Sequence, residues 1–348
     1  MPSSTTYAVM LTLAFVVLNN LYNSSSNLGD TNGGLSFTKS TQTKPVAESR
    51  LQRLARYSQR YNYKSPASYI NHTERTELCG TGPDFKKYWT RSQRERSGDN
   101  EDHDIYDLFF KNDLDEFGNH IRGQGVVEMG AYDGIQQSNS RFFEVCLGWD
   151  ALLVEGMPKT YEKLVFNRPN AHRFNYAPSC SEEDDVKNKT VAFDNYPMTN
   201  AGLSSIKTSY SVKNWTVDVA CGSMTNVLLD IFPHGHVTFF SLDVEGAEPL
   251  IVGNIDFGRV FIEIMIVEHS NNFCHANNCE SRDQFRKIMD DNGYIRFTRG
   301  VKKSDLFIHP LSRHLKSALN VDELKTEYER FVMNRDYGVN EIPKNAIW

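Results

Sequence analysis

Three short apolar runs in this chain end on the same punctuation, and that pattern limits the possible folds most sharply. Val126-Val127-Glu128-Met129 stops at Gly130, and Ala151-Leu152-Leu153-Val154 stops at Glu155-Gly156. His236 to Leu242 stops at Asp243-Val244-Glu245-Gly246, and Val260 to Val267 is the most apolar run of all. Helical periodicity separates them, at Ser138–Leu147, from Pro158 onward, at Met224–Phe232 and at Arg282–Asn292. Ala171 to Ala177 reads as a further strand, and Tyr294–Thr298 with Asp305–His309 as two closing ones. Continuous apolar strands alternating with helices predict an α/β fold, a doubly wound, mostly parallel sheet covered on both faces. Ligands of such sheets sit beyond the carboxyl ends of the strands.

The strand ends therefore carry the chemistry. Glu128-Met-Gly130-Ala131-Tyr-Asp133-Gly134 is a glycine turn that allows close backbone approach to a ligand. It is neither G-x-G-x-x-G nor a P-loop. Glu155 follows Gly130 by 25 residues, where an acidic residue after a glycine turn accepts ribose hydroxyls. Asp243, Glu245 and Glu248 place three carboxylates within six residues. Glu248 also suits a helix N-terminus. Glu268-His269 ends the most apolar strand and offers a base, or a surface cap.

The N-terminal third is different. Tyr7 to Leu18 is apolar over 12 residues, about 18 Å as a helix against a hydrocarbon core of roughly 30 Å. It reads as a short signal anchor or as the core of a cleaved signal peptide, within residues 1–22. Residues 23–60 read as a polar stem, and residues 61–120 as an aromatic cap. Residues 39–96 carry a balance of +8, so the remainder of this chain of net charge -6 sums to -14. Scattered basic residues beside an acidic body suit a solvated stem, and no nucleic-acid partner is expected. Four N-x-[ST] sequons, at Asn23, Asn71, Asn188 and Asn214, agree with a secretory route.

Six cysteines permit disulfides in such a compartment. Cys274 and Cys279 are expected to close a small loop. A zinc site from Cys274, His275 and Cys279 is the alternative, but its spacing matches no common pattern, and no metal site is assigned. Cys146 reads as an inert core residue.

VVEMGAYDGIQQSNS, LGWDALLVEGMP, AGLSSI and SLDVEGAEPLIV, in this order, resemble the FkbM-type methyltransferases over residues 121–310. The resemblance implies a Rossmann-like class I domain that uses S-adenosylmethionine, with residues 311–348 as a C-terminal extension. It implies that Glu128, Gly130, Ala131, Asp133 and Gly134 line the methionine end of the cofactor. Glu155 would hold the ribose, Gly156 and Met157 would lie beside the adenine, and the segment from Ala177 to Ser179 would approach the adenine or ribose from the third strand. Asp243 and Glu245 would lie near the transferring methyl group; one or the other is expected to supply a base, with His269 as a further candidate. A luminal address suggests O-methylation of a glycan or glycolipid hydroxyl, in the Golgi or endoplasmic reticulum, or outside the cell if the N-terminus is cleaved. The same resemblance extends to the insect Star protein, which implies a non-catalytic, membrane-anchored trafficking or interaction protein as the rival reading.

Overall fold

The computed structural model describes residues 48–68, 72–194, 216–268 and 280–334. The Tyr7–Leu18 run, AGLSSI, His269, Cys274 and Cys279 lie outside the described residues, as do Asn23, Asn71 and Asn214. Among the described residues no helix is long and apolar enough to cross a membrane.

Nine strands are described: β1 (Gly125–Met129), β2 (Asp150–Val154), β3 (His172–Phe174), β4 (Thr190–Asp194), β5 (Thr216–Ala220), β6 (His236–Leu242), β7 (Phe261–Glu268), β8 (Ile295–Val301) and β9 (Ser304–Ile308). Seven form one sheet in the order β3-β2-β1-β6-β7-β9-β8. The pairs β1–β2, β2–β3, β1–β6 and β6–β7 are parallel. β9 runs antiparallel to both β7 and β8. The chain moves outward from β1 to β3 and returns to lay β6 on the other side of β1. That reversal is a topological switch point, where an open α/β sheet leaves a crevice at its carboxyl edge.

Alternation along each strand divides the core into two layers. Val126, Leu153, Phe239, Ile264 and Ile266 face one layer, with Phe142 and Phe143 from helix Arg141–Val145. Val127, Met129, Leu152, Val154, Phe240 and Met265 face the other, with Met224, Val227 and Leu228 from helix Met224–Ile231. Residues 72–110 add short helices to the first layer. Phe142 is their anchor, with Phe85, Tyr88, Trp89 and Tyr106 ring centroids 4.2 to 5.1 Å from its own. Leu315, Ala318 and Leu324, in the region read above as an extension, join the same layer.

Two expectations need correction. Residues 50–60, read as stem, form a helix, Arg50–Arg60, closed at its start by a Ser49–Gln52 capping box. Its Tyr57 is fully buried and donates its hydroxyl to Asp230, which Arg53 also grips through both carboxylate oxygens. The polar composition concealed an apolar stripe that covers the second layer. Cys146, read as an inert core thiol, is disulfide-bonded to Cys79, and Cys180 is bonded to Cys221. The pairing joins segments 67 and 41 residues apart, which local spacing cannot reveal. β4 and β5 pair antiparallel as a separate ribbon beside the crevice.

Candidate active site

The crevice opens at the carboxyl ends of β1, β2 and β6, where open α/β sheets hold their ligands. Register brings the strand ends together, since Met129 pairs with both Val154 and Leu242. Gly130 adopts φ +78°, and a Cβ there would lie 1.8 Å from the Asp243 carbonyl oxygen. Any other residue would push β1 and β6 apart. A Cβ on Gly156 would lie 2.4 Å from the Phe193 ring of β4, so this glycine lets the ring close over the turn.

Of the residues expected from sequence, Gly130, Glu155, Gly156, Met157, Ser179, Asp243 and Glu245 line the crevice. Four do not. Glu128 shares a strand face with Val126 and points into the first core layer, away from the crevice. Its carboxylate accepts from Ser138 Oγ, Asn139 N and Ser140 Oγ. Desolvation raises its pKa, and the Arg168 charge with these hydrogen bonds opposes that rise. Asp133 turns inward on its own loop, accepting from Ile135 N and Gln136 N. Gly134 is required by packing, because a Cβ would meet Leu164 and Arg168 at 2.6 Å. Ala131 is buried behind the turn. These four shape the glycine turn from outside the crevice.

Sequence reasoning missed Tyr132, Gln136, Gln137, Thr160, Tyr176 and Phe193, all of which line it. Tyr132 stands inside the glycine motif, so that signal was available. Tyr176, just past β3, and Phe193, on β4, belong to no motif.

Glu155 is buried, and each carboxylate oxygen accepts one backbone N–H, from Tyr132 at 2.8 Å and Met157 at 2.7 Å. It thus ties the β1 turn to the β2 turn. Each oxygen keeps a further lone pair for a ligand hydroxyl. Burial pushes its pKa up to about 7, against the pull of those hydrogen bonds.

A second group of carboxyls stands across the crevice. Asp243, Glu248 and Glu268 present oxygens within 4.8 Å of one another. Glu248 accepts from Val244 N and Gly246 N, closing the turn ahead of its own short helix. Burial pushes it up to about 7. Glu245 sits on the same turn with φ +58°, raised to about 8 by burial and by Asp243 and Glu248. Glu268 is pushed up to about 11 by burial and by the charge and hydrogen bond of Asp243. Asp243 is itself raised by desolvation, while the Glu268 hydrogen bond and Lys303 pull it back. Asp243 is nonetheless open to solvent through the crevice, which tempers its own rise. Two carboxyls this close do not both ionise readily, and they titrate as a unit with the first proton on Glu268.

A parallel sheet with one antiparallel strand next to its edge, a glycine turn after β1 and an acid after β2 define a class I, S-adenosylmethionine-dependent methyltransferase fold. The methyltransferase FkbM domain family matches residues 128–296 of this chain. No curated protein matches the chain. Among solved structures, the chain is similar to Aeropyrum pernix fibrillarin bound to S-adenosyl-L-methionine, at 11% identity and TM-score 0.29, covering 53% of this chain and 66% of that one. It is similar to a TehB-like methyltransferase from Corynebacterium glutamicum, at 10% identity and TM-score 0.29, covering 60% and 87%. It is also similar to an O-methyltransferase family protein from Burkholderia thailandensis, at 8% identity and TM-score 0.27, covering 53% and 50%.

The crevice fits the cofactor of this class. Gly130 leaves a backbone cradle that a Cβ would fill. Glu155 keeps acceptor capacity on both oxygens for a ribose diol. Val154, Tyr176, Phe193 and Ile251 offer apolar walls for a purine.

Proposed function

We propose that the protein methylates an oxygen acceptor, a glycan or glycolipid hydroxyl, within the secretory pathway. The observation that carries this reading is the Asp243–Glu268 carboxyl pair at the crevice. S-adenosylmethionine, when bound, supplies an electrophilic methyl group on a sulfonium. A hydroxyl acceptor has a pKa far above neutrality and gains from a base, worth about 10²–10⁴-fold. Asp243 receives that proton on a carboxylate oxygen. Glu268, protonated first, donates to Asp243 and fixes its orientation. Glu245 stands beside them, and His269 follows Glu268 in the chain.

The luminal address draws support from two disulfides, since such bonds persist in oxidising compartments. Asn188, in the sequon Asn188-Lys-Thr, is exposed, which agrees with the same route. The Tyr7–Leu18 run would anchor the protein or direct its export.

The test is Asp243→Asn and Glu268→Gln in the full chain, with cofactor binding by calorimetry and methyl transfer to a panel of luminal glycans. Both variants should bind cofactor nearly as the wild type does. Transfer should fall about 10²–10⁴-fold in Asp243→Asn. Binding and transfer both intact in Asp243→Asn would remove Asp243 from the chemistry. No heat from S-adenosylmethionine with the wild type would favour the membrane-anchored interaction protein instead.

A further inference from the structure

A second cavity lies at the opposite edge of the sheet, and the methyl-transfer reading leaves it without a role. It opens where β2 and β3 begin, against Asp150, Ala151 and His172. The cofactor crevice lies at the far ends of these strands. The length of β2 puts about 13 Å of backbone between the two openings.

Four arginines line this cavity: Arg75, Arg122, Arg141 and Arg168. Arg168 is fully buried and paired with Glu144. Arg141 donates to the Glu95 carbonyl. Among the described residues, neither Arg75 nor Arg122 forms an ion pair. Arg75 donates one N–H to the Cys146 carbonyl at 2.8 Å, and Arg122 is exposed. Burial, and then the charge of Arg122, pull the Arg75 pKa down, so the two guanidinium groups are close enough to repel. The acids nearby do not answer them, because Glu144 is taken by Arg168. Asp150 is exposed at the start of β2. His172 is held neutral, its pKa pushed down to about 4 by burial, Arg50 and Arg173, so it adds no charge.

The position of Arg75 is fixed covalently. It lies in helix His72–Cys79, whose last residue is bonded to Cys146, and its guanidinium reaches the carbonyl of that same Cys146. The disulfide thus holds one cationic fork over the cavity, beside a second.

We propose that this cavity is a binding site for an oxyanion, a phosphate or sulfate group, with Arg75 and Arg122 as its ligands and independent of the cofactor crevice. Guanidinium forks match the paired oxygens of such groups and remain charged under all ordinary conditions. The free anion and a sugar ester share this chemistry.

Calorimetric titration of the full chain with inorganic phosphate, inorganic sulfate and glucose 6-sulfate tests the site. At least one should bind, more weakly as salt is raised. Tighter binding of the ester assigns the site to a sugar-borne sulfate, and equal or tighter binding of the inorganic ions assigns it to the free anion. Arg122→Gln should weaken binding by roughly tenfold, the loss of one charge-assisted contact, and Arg122→Glu should abolish it. S-adenosylmethionine should bind both variants as it binds the wild type. Arg122 is exposed, so its replacement keeps the test valid even if an Arg75→Gln chain fails to fold. No heat from any of the three probes at about 10 mM, a range in which even millimolar affinity registers, would overturn the proposal. Unchanged affinity in Arg122→Glu would also overturn it.

Discussion

Glu155 ties two turns together and faces a ligand with what acceptor capacity remains. Replacing it with Ala removes the acceptor for Tyr132 N and Met157 N as well as for the ribose. Cofactor affinity should fall by about 1–3 kcal/mol. The melting temperature should fall too, because a buried N–H group, of Met157, and a half-buried one, of Tyr132, lose their partner. Calorimetry and a melting curve read the two effects separately, and unaltered affinity would remove Glu155 from the ribose. This residue, Gly130 and Asp243 were legible in the sequence because each is the last residue of, or the first beyond, an apolar run. Glu128 was misplaced for a physical reason. A strand presents alternate residues to opposite faces, and Met129 is the neighbour that faces the crevice. Proximity to a motif cannot report that direction. Asp133 is polar and near the turn, yet its side chain is spent on Ile135 N and Gln136 N, as short acidic side chains in turns often are.

Among the elements, the parallel strands and their flanking helices were legible because apolar runs of that length have few other uses. The helix Arg50–Arg60 was not. Leu54, Tyr57 and Tyr61 form its inward stripe, but arginines and glutamines surround them and lower the average hydropathy. The Ser49–Gln52 capping box was the signal that could have found it. The consequence is a prediction about where the folded body begins. Tyr57 is fully buried, stacks on Tyr61 with ring centroids 5.4 Å apart, and bonds Asp230 at 3.0 Å. Tyr57→Ala should cost about 3–5 kcal/mol, seen as a lower urea midpoint with the slope unchanged. A chain starting at residue 48 should melt as the full chain does, and one starting at residue 61 should melt well below it. Equal melting of the two would show the helix to be a passive ornament of the body. β4 and β5 were missed because their apolar residues are few, with Val191 and Phe193 on one strand and Val217 and Val219 on the other.

At the scale of the whole molecule, buried acids set how stability responds to pH. Burial is the main cause that pushes Glu101, Glu155 and Glu248 up to about 7 and Glu245 to about 8, from an ordinary value of 4.5. Between those limits the folded chain binds more protons than the unfolded one, so stability falls as pH rises through the window. His172 and His314 act in the opposite sense. Burial pulls both from 6.5 down to about 4, so the folded chain binds fewer protons there, and stability grows as pH rises from about 4 to 6.5. The two effects oppose each other below pH 6.5. Above it the histidines are neutral in both states, and only the carboxyls continue to act. The melting temperature of the full chain should therefore fall steadily between pH 6.5 and about 8.5 at constant ionic strength, as scanning calorimetry would record. Glu245→Gln should flatten the upper part of that fall, because it removes the carboxyl that burial raises to about 8 in the folded chain. A melting temperature that is level or rising across this interval would mean that the crevice carboxyls ionise at ordinary values. It would also deprive the Asp243–Glu268 pair of the shared proton on which its role as a base depends.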